Sequence, residues 1–217
     1  MMHANTLRER LRHGGQTVGT MAFEFRVPGL GAIAAAAGAD LIIFDMEHTG
    51  WTFETIRTLI AGTPRDRTVP MVRVPATRYH FIARALDMGA RGIMVPMVES
   101  ADQAREITEF SKYPPAGRRG AAFGIAHDDY SAGELPEKIA AANEGILRIA
   151  QIETADGLQQ LENIAAVDGI DVLWVGQTDL TCSLGIPGQF EHPRFVDALK
   201  RVVEAAESHG KAAGYMA

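Results

Sequence analysis

The stretch LIIFDMEHTGW (41–51) runs four apolar residues straight into Asp45, Glu47 and His48. Other apolar runs end the same way. Arg73 closes VPMVR, Gln151 and Glu153 close RIAQIE, and Gln177 and Asp179 follow VLWVG. Two carboxylates such as Glu153 and Asp179 can hold a hard divalent cation, with water and substrate oxygens filling the other positions. Mg²⁺, Mn²⁺ and Co²⁺ all suit such oxygen donors. A cation there suits a ligand with a carboxylate beside a ketone, which chelates through both oxygens. Arg73 is placed to stabilise negative charge on the ketone oxygen. His48, oriented by Asp45, is placed to move a proton. No Lys stands at the C-terminal end of any predicted strand, so an imine mechanism has no candidate residue.

Each of these residues also has an ordinary structural alternative. Asp179 can N-cap a short helix beginning DLTCSLG. Glu153 can pair with Arg73 across the strand ends. Asp45 can orient a neighbouring backbone amide, and His48 can be a simple loop histidine. Trp51 is expected to serve packing. Gln151 is harder to explain away, because a buried amide needs several partners. The sequence does not set whether Glu47 points inward or outward.

Positioning such groups requires strands whose ends converge. Seven apolar runs recur along the chain: 17–23, 41–45, 69–74, 92–98, 146–153, 172–177 and 211–217. Continuous apolar runs indicate parallel strands covered on both faces. Alternate residues on a strand share a face, so Ile149, Gln151 and Glu153 point one way, and Met71 and Arg73 point together. Val175, Gln177 and Asp179 do so too if the extended chain lasts that far.

Helical patterns follow most of the runs. Residues 52–62 place Phe53, Ile56, Leu59 and Ile60 at helical spacing. Residues 78–90 end near Gly89, a C-terminal stop. Residues 100–113 open with Ser100 and a Gln three positions later, the pattern of a capping box. Residues 156–167 and 193–210 complete the set, and the Ala-rich segment before residue 41 is a helix feeding a strand. The Gly- and Pro-rich stretch 114–133 is a long connection, with His127, Asp128 and Asp129 expected in solvent.

Strand–helix alternation predicts a (β/α)₈ TIM barrel, an α/β fold that typically takes about 250 residues. The 217 residues end on the seventh run, so the last strand–helix unit is expected to be missing from this single domain. A doubly wound open sheet is the rival, but no Gly-rich phosphate fingerprint follows the first strand.

The formal charge of −6 disfavours nucleic acid and anionic membranes as partners. Cys182 is the single cysteine, which excludes an intrachain disulfide and suits a reducing cytoplasm. The N-terminus lacks the apolar core of a secretory signal.

The stretches FDMEHTGW, VRVP, IMVPMVES, YPPAGRRG, QIETADGL and VGQTDLTCSLGIPG resemble the HpcH/HpaI family of class II pyruvate aldolases, distant relatives of the citrate lyase β-subunit. Six motifs in order over nearly the whole chain carry the resemblance. It implies a TIM barrel assembled as a homotrimer or homohexamer. It also implies cleavage of 4-hydroxy-2-oxo acids to pyruvate and an aldehyde. By the same resemblance Glu153 and Asp179 match the metal ligands, and Arg73 matches the arginine that steadies the enolate. His48 with Asp45 matches an acid–base pair acting through water, and Gln151 matches a glutamine near metal and pyruvate. Asp87 matches an acidic residue reaching a neighbouring subunit's site; a solvated helix residue is the alternative. Many family members read G-P-A-D-L where this chain reads GQTDL. The Asp is kept, while Gln177 and Thr178 alter the place where the substrate carboxylate meets backbone amides.

A lyase acting on a coenzyme A thioester, a 2-dehydro-3-deoxy-sugar-acid aldolase and a non-catalytic carboxylate binder are the alternatives on the same fold. The thioester reading needs a basic groove, for which Arg118 and Arg119 are the tight pair.

Overall fold

The computed structural model describes residues 6–216. Its centre is one parallel sheet of seven strands in sequential order. They are β1 (Gly19–Ala22), β2 (Leu41–Asp45), β3 (Val69–Arg73), β4 (Gly92–Val95), β5 (Leu147–Ile152), β6 (Val172–Val175) and β7 (Ala212–Tyr215). Every ladder joins consecutive strands in parallel register, and the connections between strands run through helices. The sheet curls into seven strands of a TIM-type barrel, as the apolar runs predicted.

Strand parity splits the core in two. Leu41, Ile43, Val69, Met71, Met94, Leu147, Ile149 and Val172 pack together inside the curl. Leu7, from α1 (Thr6–Arg12), joins this inner cluster. The alternate residues, including Ile42, Phe44, Val72, Ile93, Ala150, Ile152 and Leu173, face the outer helices. Full burial of a side chain such as Phe44 contributes about 1.5–3 kcal/mol.

The outer layer comprises α2 (Leu30–Ala36), α3 (Phe53–Ala61), α4 (Tyr79–Asp87), α5 (Ala101–Ser111), α6 (Leu135–Glu144), α7 (Ala155–Gln159), α8 (Leu161–Ala165), α9 (Gln177–Ser183) and α10 (Pro193–Ser208). Thr52 caps α3 by accepting the Thr55 amide at 3.4 Å. Gly89, just beyond α4, takes the left-handed φ of +100° that a helix stop requires. Residues 156–167 form not one helix but two, broken at Gln160.

The long connection differs from the expectation of a solvated loop. A 3-10 turn at Ala126–Asp128 packs inward, and His127 and Asp128 are buried. The His127 ring meets Tyr113 and Phe123, and Asp128 pairs with Lys138 at 2.7 Å. Asp129 sits between Arg65 at 2.6 Å and Arg91 at 2.9 Å. Arg65 and Arg91 lie 64 and 38 residues from Asp129, so composition gave no sign of them. No helix among the described residues is long and apolar enough to cross a membrane.

Candidate active site

The polar residues gather where the parallel strands end. Asp45 is the last residue of β2 and Arg73 the last of β3, and the two are register partners. Arg73 Nε donates to Asp45 Oδ1 at 2.5 Å, and Arg73 Nη1 lies 3.1 Å from Glu47 Oε2. Glu47 therefore turns inward and shares the guanidinium with Asp45. The predicted Glu153–Arg73 pair does not form; the arginine is occupied by the two acids of the β2 end. The Phe23 ring covers it, with the guanidinium carbon 5.6 Å from the ring centroid.

Asp45 does orient backbone. Its Oδ1 accepts the Glu47 amide at 3.2 Å and its Oδ2 accepts the His48 amide at 2.9 Å. This fixes the turn carrying His48, whereas the His48 ring itself stands 3.7 Å from Glu47 Oε2 and is exposed. The neighbour of the imidazole is thus Glu47 rather than the expected Asp45.

Glu153 follows β5 directly and is buried. Gln151 Nε2 donates to its Oε2, as strand parity predicted, and the Met97 amide donates to its Oε1 at 2.7 Å. Burial pushes the Glu153 carboxyl up to about 7; the Met97 hydrogen bond opposes this, and the negative charges of Glu47 and Asp179 reinforce it. Glu47 is also raised, chiefly by burial, against the opposing charges of Arg73 and His48. Asp45 and Asp179 push it further upward. The acids of β2, β5 and α9 thus share one electrostatic field.

Asp179 lies in the first turn of α9, which starts at Gln177 with Gly176 as N-cap. It is therefore neither an N-cap nor an extension of β6, and the parity argument for Gln177 and Asp179 ends at Val175. Gln177 Nε2 turns to the Met216 carbonyl at 3.0 Å, and Thr178 is exposed. Gly176 is required by space: a Cβ there would overlap Glu153 Oε2 and stand 2.7 Å from Gln151 Nε2.

Asp87 does not belong to this cluster. It closes α4, and the chain then turns back to the start of β4, so it lies toward the opposite end of the sheet. Its carboxylate accepts from Arg119 at 2.6 Å, and it borders an open surface cavity of about 450 Å³ with Arg57, Arg84 and Tyr130. Arg119 is buried on that carboxylate, and Arg118 pairs with Glu109 at 3.3 Å. The tight basic pair thus lacks the free cations that a nucleotide groove needs.

The donors suit a hard cation. Gln151 Oε1 is a buried acceptor without a hydrogen-bond partner, a state that is normally rare, and the buried Glu47 Oε2 meets Arg73 through an ion pair. Among the described residues no three His, Cys, Asp or Glu side chains form a cage. Two carboxylates plus water and substrate are a usual complement for Mg²⁺.

Residues 26–216 match the HpcH/HpaI aldolase/citrate lyase family model. The chain belongs to this family. It is 32% identical over 213 residues to a hydroxypyruvate/pyruvate aldolase of Roseovarius nubinhibens, covering 98% of this chain and 82% of that one. It is 34% identical over 185 residues to a 2-keto-3-deoxy-L-rhamnonate aldolase of Klebsiella pneumoniae, covering 85% and 69%. The crystal structure of an HpcH/HpaI aldolase from Desulfitobacterium hafniense superposes with a TM-score of 0.91 at 35% identity, covering 96% of this chain and 80% of that one. Membership in this HpcH/HpaI family makes the strand-end cluster the candidate centre of a carbon–carbon lyase. Sequence reasoning missed two contributors, Glu47 as a partner of Arg73 and the Met97 amide as a partner of Glu153. Neither has a local signal, because each contact joins segments brought together by sheet pairing.

Proposed function

We propose that this HpcH/HpaI family member cleaves 4-hydroxy-2-oxo acids reversibly to pyruvate and an aldehyde, using a divalent cation held by Glu153 and Asp179. The observation that carries the reading is Glu153. It is a buried carboxylate with both oxygens already oriented by donors, in a field shared with Glu47 and Asp179 and beside an orphaned Gln151 oxygen. The names of the aldolase relatives from Roseovarius and Klebsiella agree with it.

A bound Mg²⁺, Mn²⁺ or Co²⁺ supplies Lewis acidity and a template for the carboxylate and 2-oxo oxygens. The protein's residues do the rest. Gln151 and the first turn of α9 at Gln177 and Thr178 receive the oxo-acid end. His48, through water, takes the proton of the 4-hydroxyl, and Glu47 stands beside its ring. The C3–C4 bond breaks, the aldehyde leaves, and negative charge passes to the pyruvate fragment. Arg73 meets that charge with a guanidinium already fixed by Asp45 and Glu47, so little reorganisation is needed. Protonation of the fragment releases pyruvate. The same arrangement suits a 2-dehydro-3-deoxy sugar acid, whose reacting end is identical. The buried and paired state of Arg119 speaks against a coenzyme A thioester.

The family resemblance also supports a homotrimer or homohexamer, in which Asp87 and the cavity beside it face a neighbouring subunit, and the single Cys182 suits the cytoplasm. Size-exclusion chromatography with light scattering tests the assembly. A pyruvate-release screen over 4-hydroxy-2-oxo acids tests the reaction. Activity is expected to vanish on chelation and to return with Mg²⁺, Mn²⁺ or Co²⁺. Full turnover after exhaustive chelation, or a borohydride-trapped pyruvate adduct, would overturn the proposal.

A further inference from the structure

We propose that Gln103, on the outer helix α5, is a positioning residue for the Glu153 carboxylate, acting through the left-handed backbone of Met97. The inference rests on the reading of Glu153 as a cation ligand. β4 ends at Val95, and Pro96 has no amide hydrogen to continue the ladder. Met97 then takes a φ of +53°, a region that residues with a side chain rarely adopt. Its own side chain does not hold it there, since it is exposed.

One amide side chain bridges the two ends of the turn. Gln103 Nε2 donates to the Met97 carbonyl at 3.3 Å, and Gln103 Oε1 accepts the Glu99 amide at 2.7 Å. Ser100 Oγ in turn accepts the Gln103 amide at 3.2 Å, which fixes the start of α5. In a usual capping box the third helical residue reaches back to the amide of the cap itself. Here it reaches past Ser100 and spans both ends of the 97–99 turn. The Val98 amide donates to the Gln151 carbonyl at 3.2 Å, tying the middle of that turn to β5.

The consequence falls on Glu153. With the turn fixed, the Met97 N–H points at Glu153 Oε1 at 2.7 Å, while Gln151 holds Oε2. The carboxylate cannot rotate without breaking one of these bonds, so its remaining lone pairs keep one direction. Loss of Gln103 frees Met97 to relax to negative φ and swings its N–H away from Glu153. Outer partners that orient a metal ligand are typically worth about 10–100-fold in metal affinity.

The test is Mn²⁺ titration of the metal-free full chain, read by electron paramagnetic resonance. Gln103→Ala is expected to weaken binding about tenfold, the lower end of that range. Gln103→Glu keeps the acceptor for the Glu99 amide but loses the donor to Met97, so it is expected to weaken binding by a similar factor with the helix start intact. It decides the matter if the alanine variant does not fold. Arg105→Ala, on the exposed face of the same helix, is expected to leave affinity unchanged. Glycine adopts positive φ unaided, so in a Met97→Gly background Gln103→Ala is expected to cost less than about threefold, a coupling no general loss of helix stability produces. Wild-type affinity in both Gln103 variants, with binding abolished by Glu153→Gln, overturns the inference and leaves the metal reading standing. A wild-type chain that binds no Mn²⁺ overturns both.

Discussion

Arg73 Nε lies 2.5 Å from Asp45 Oδ1, and the two residues are the last register pair of the β2–β3 ladder. The pair is buried, and Glu47 supplies a second anionic contact to the same guanidinium. Strand pairing therefore delivers a pre-oriented cation to the barrel mouth before any substrate arrives.

Arg73→Ala removes the group that meets developing charge and leaves Asp45 buried without its partner. Turnover is expected to fall by about 10²–10³, the range for loss of one oxyanion donor. Stability is expected to drop by about 3–5 kcal/mol, the cost of breaking a buried ion pair. Arg73→Lys keeps the charge but not the fork geometry, so it should recover stability better than turnover. Pyruvate release and denaturant unfolding measure the two. Full turnover in a folded alanine variant removes Arg73 from the reaction.

His48 is exposed and makes no buried side-chain contact, so His48→Ala is expected to leave the unfolding midpoint unchanged. Turnover is expected to fall by about 10²-fold with little change in KM, as for loss of a general base. A variant that loses KM alone would make His48 a binding group.

Gly176→Ala tests the space beside Glu153. A Cβ there collides with the Glu153 and Gln151 side chains, both buried. Overpacking of this kind costs about 1–3 kcal/mol, and displacement of Glu153 should weaken Mn²⁺ binding in parallel. Unchanged Mn²⁺ affinity in Gly176→Ala would show that the cation site lies elsewhere.

The connection around the 3-10 turn should be acid-sensitive. Burial lowers the pKa of His127, which its hydrogen bond to the Ala122 carbonyl only partly offsets. Burial also pushes Asp128 upward, but Lys138 and the Gly124 amide outweigh it and hold the carboxyl below its usual value. For both groups the folded chain binds protons less readily than the unfolded one. Their contributions are therefore complete above the ordinary His value near 6.5 and the ordinary Asp value near 3.8. Each is lost as pH falls through the lowered folded value. Protection against hydrogen exchange in residues 122–131 should fall as pH drops below the ordinary His value of 6.5, before the strands respond, because the two groups pin this segment. His127→Phe should shift that onset to lower pH. Uniform protection at pH 5 would rule the effect out.

The sequence by itself determined the strands and the polar residues at their ends. Apolar runs separated by amphipathic patterns define parallel strands, and a two-residue period on β5 was enough to pair Gln151 with Glu153. Asp45 as a holder of backbone amides was also legible, because its partners lie two and three residues on. Tertiary structure decided the rest. Arg73 finds Asp45 across a separation of 28 residues, and Met97 finds Glu153 across 56. It also set the inward turn of Glu47, the start of α9 at Gln177 and the burial of His127 and Asp128. The physical reason is range. Side-chain alternation is a property of the local backbone, whereas the partner of a buried charge is chosen by which strand ends the register brings side by side.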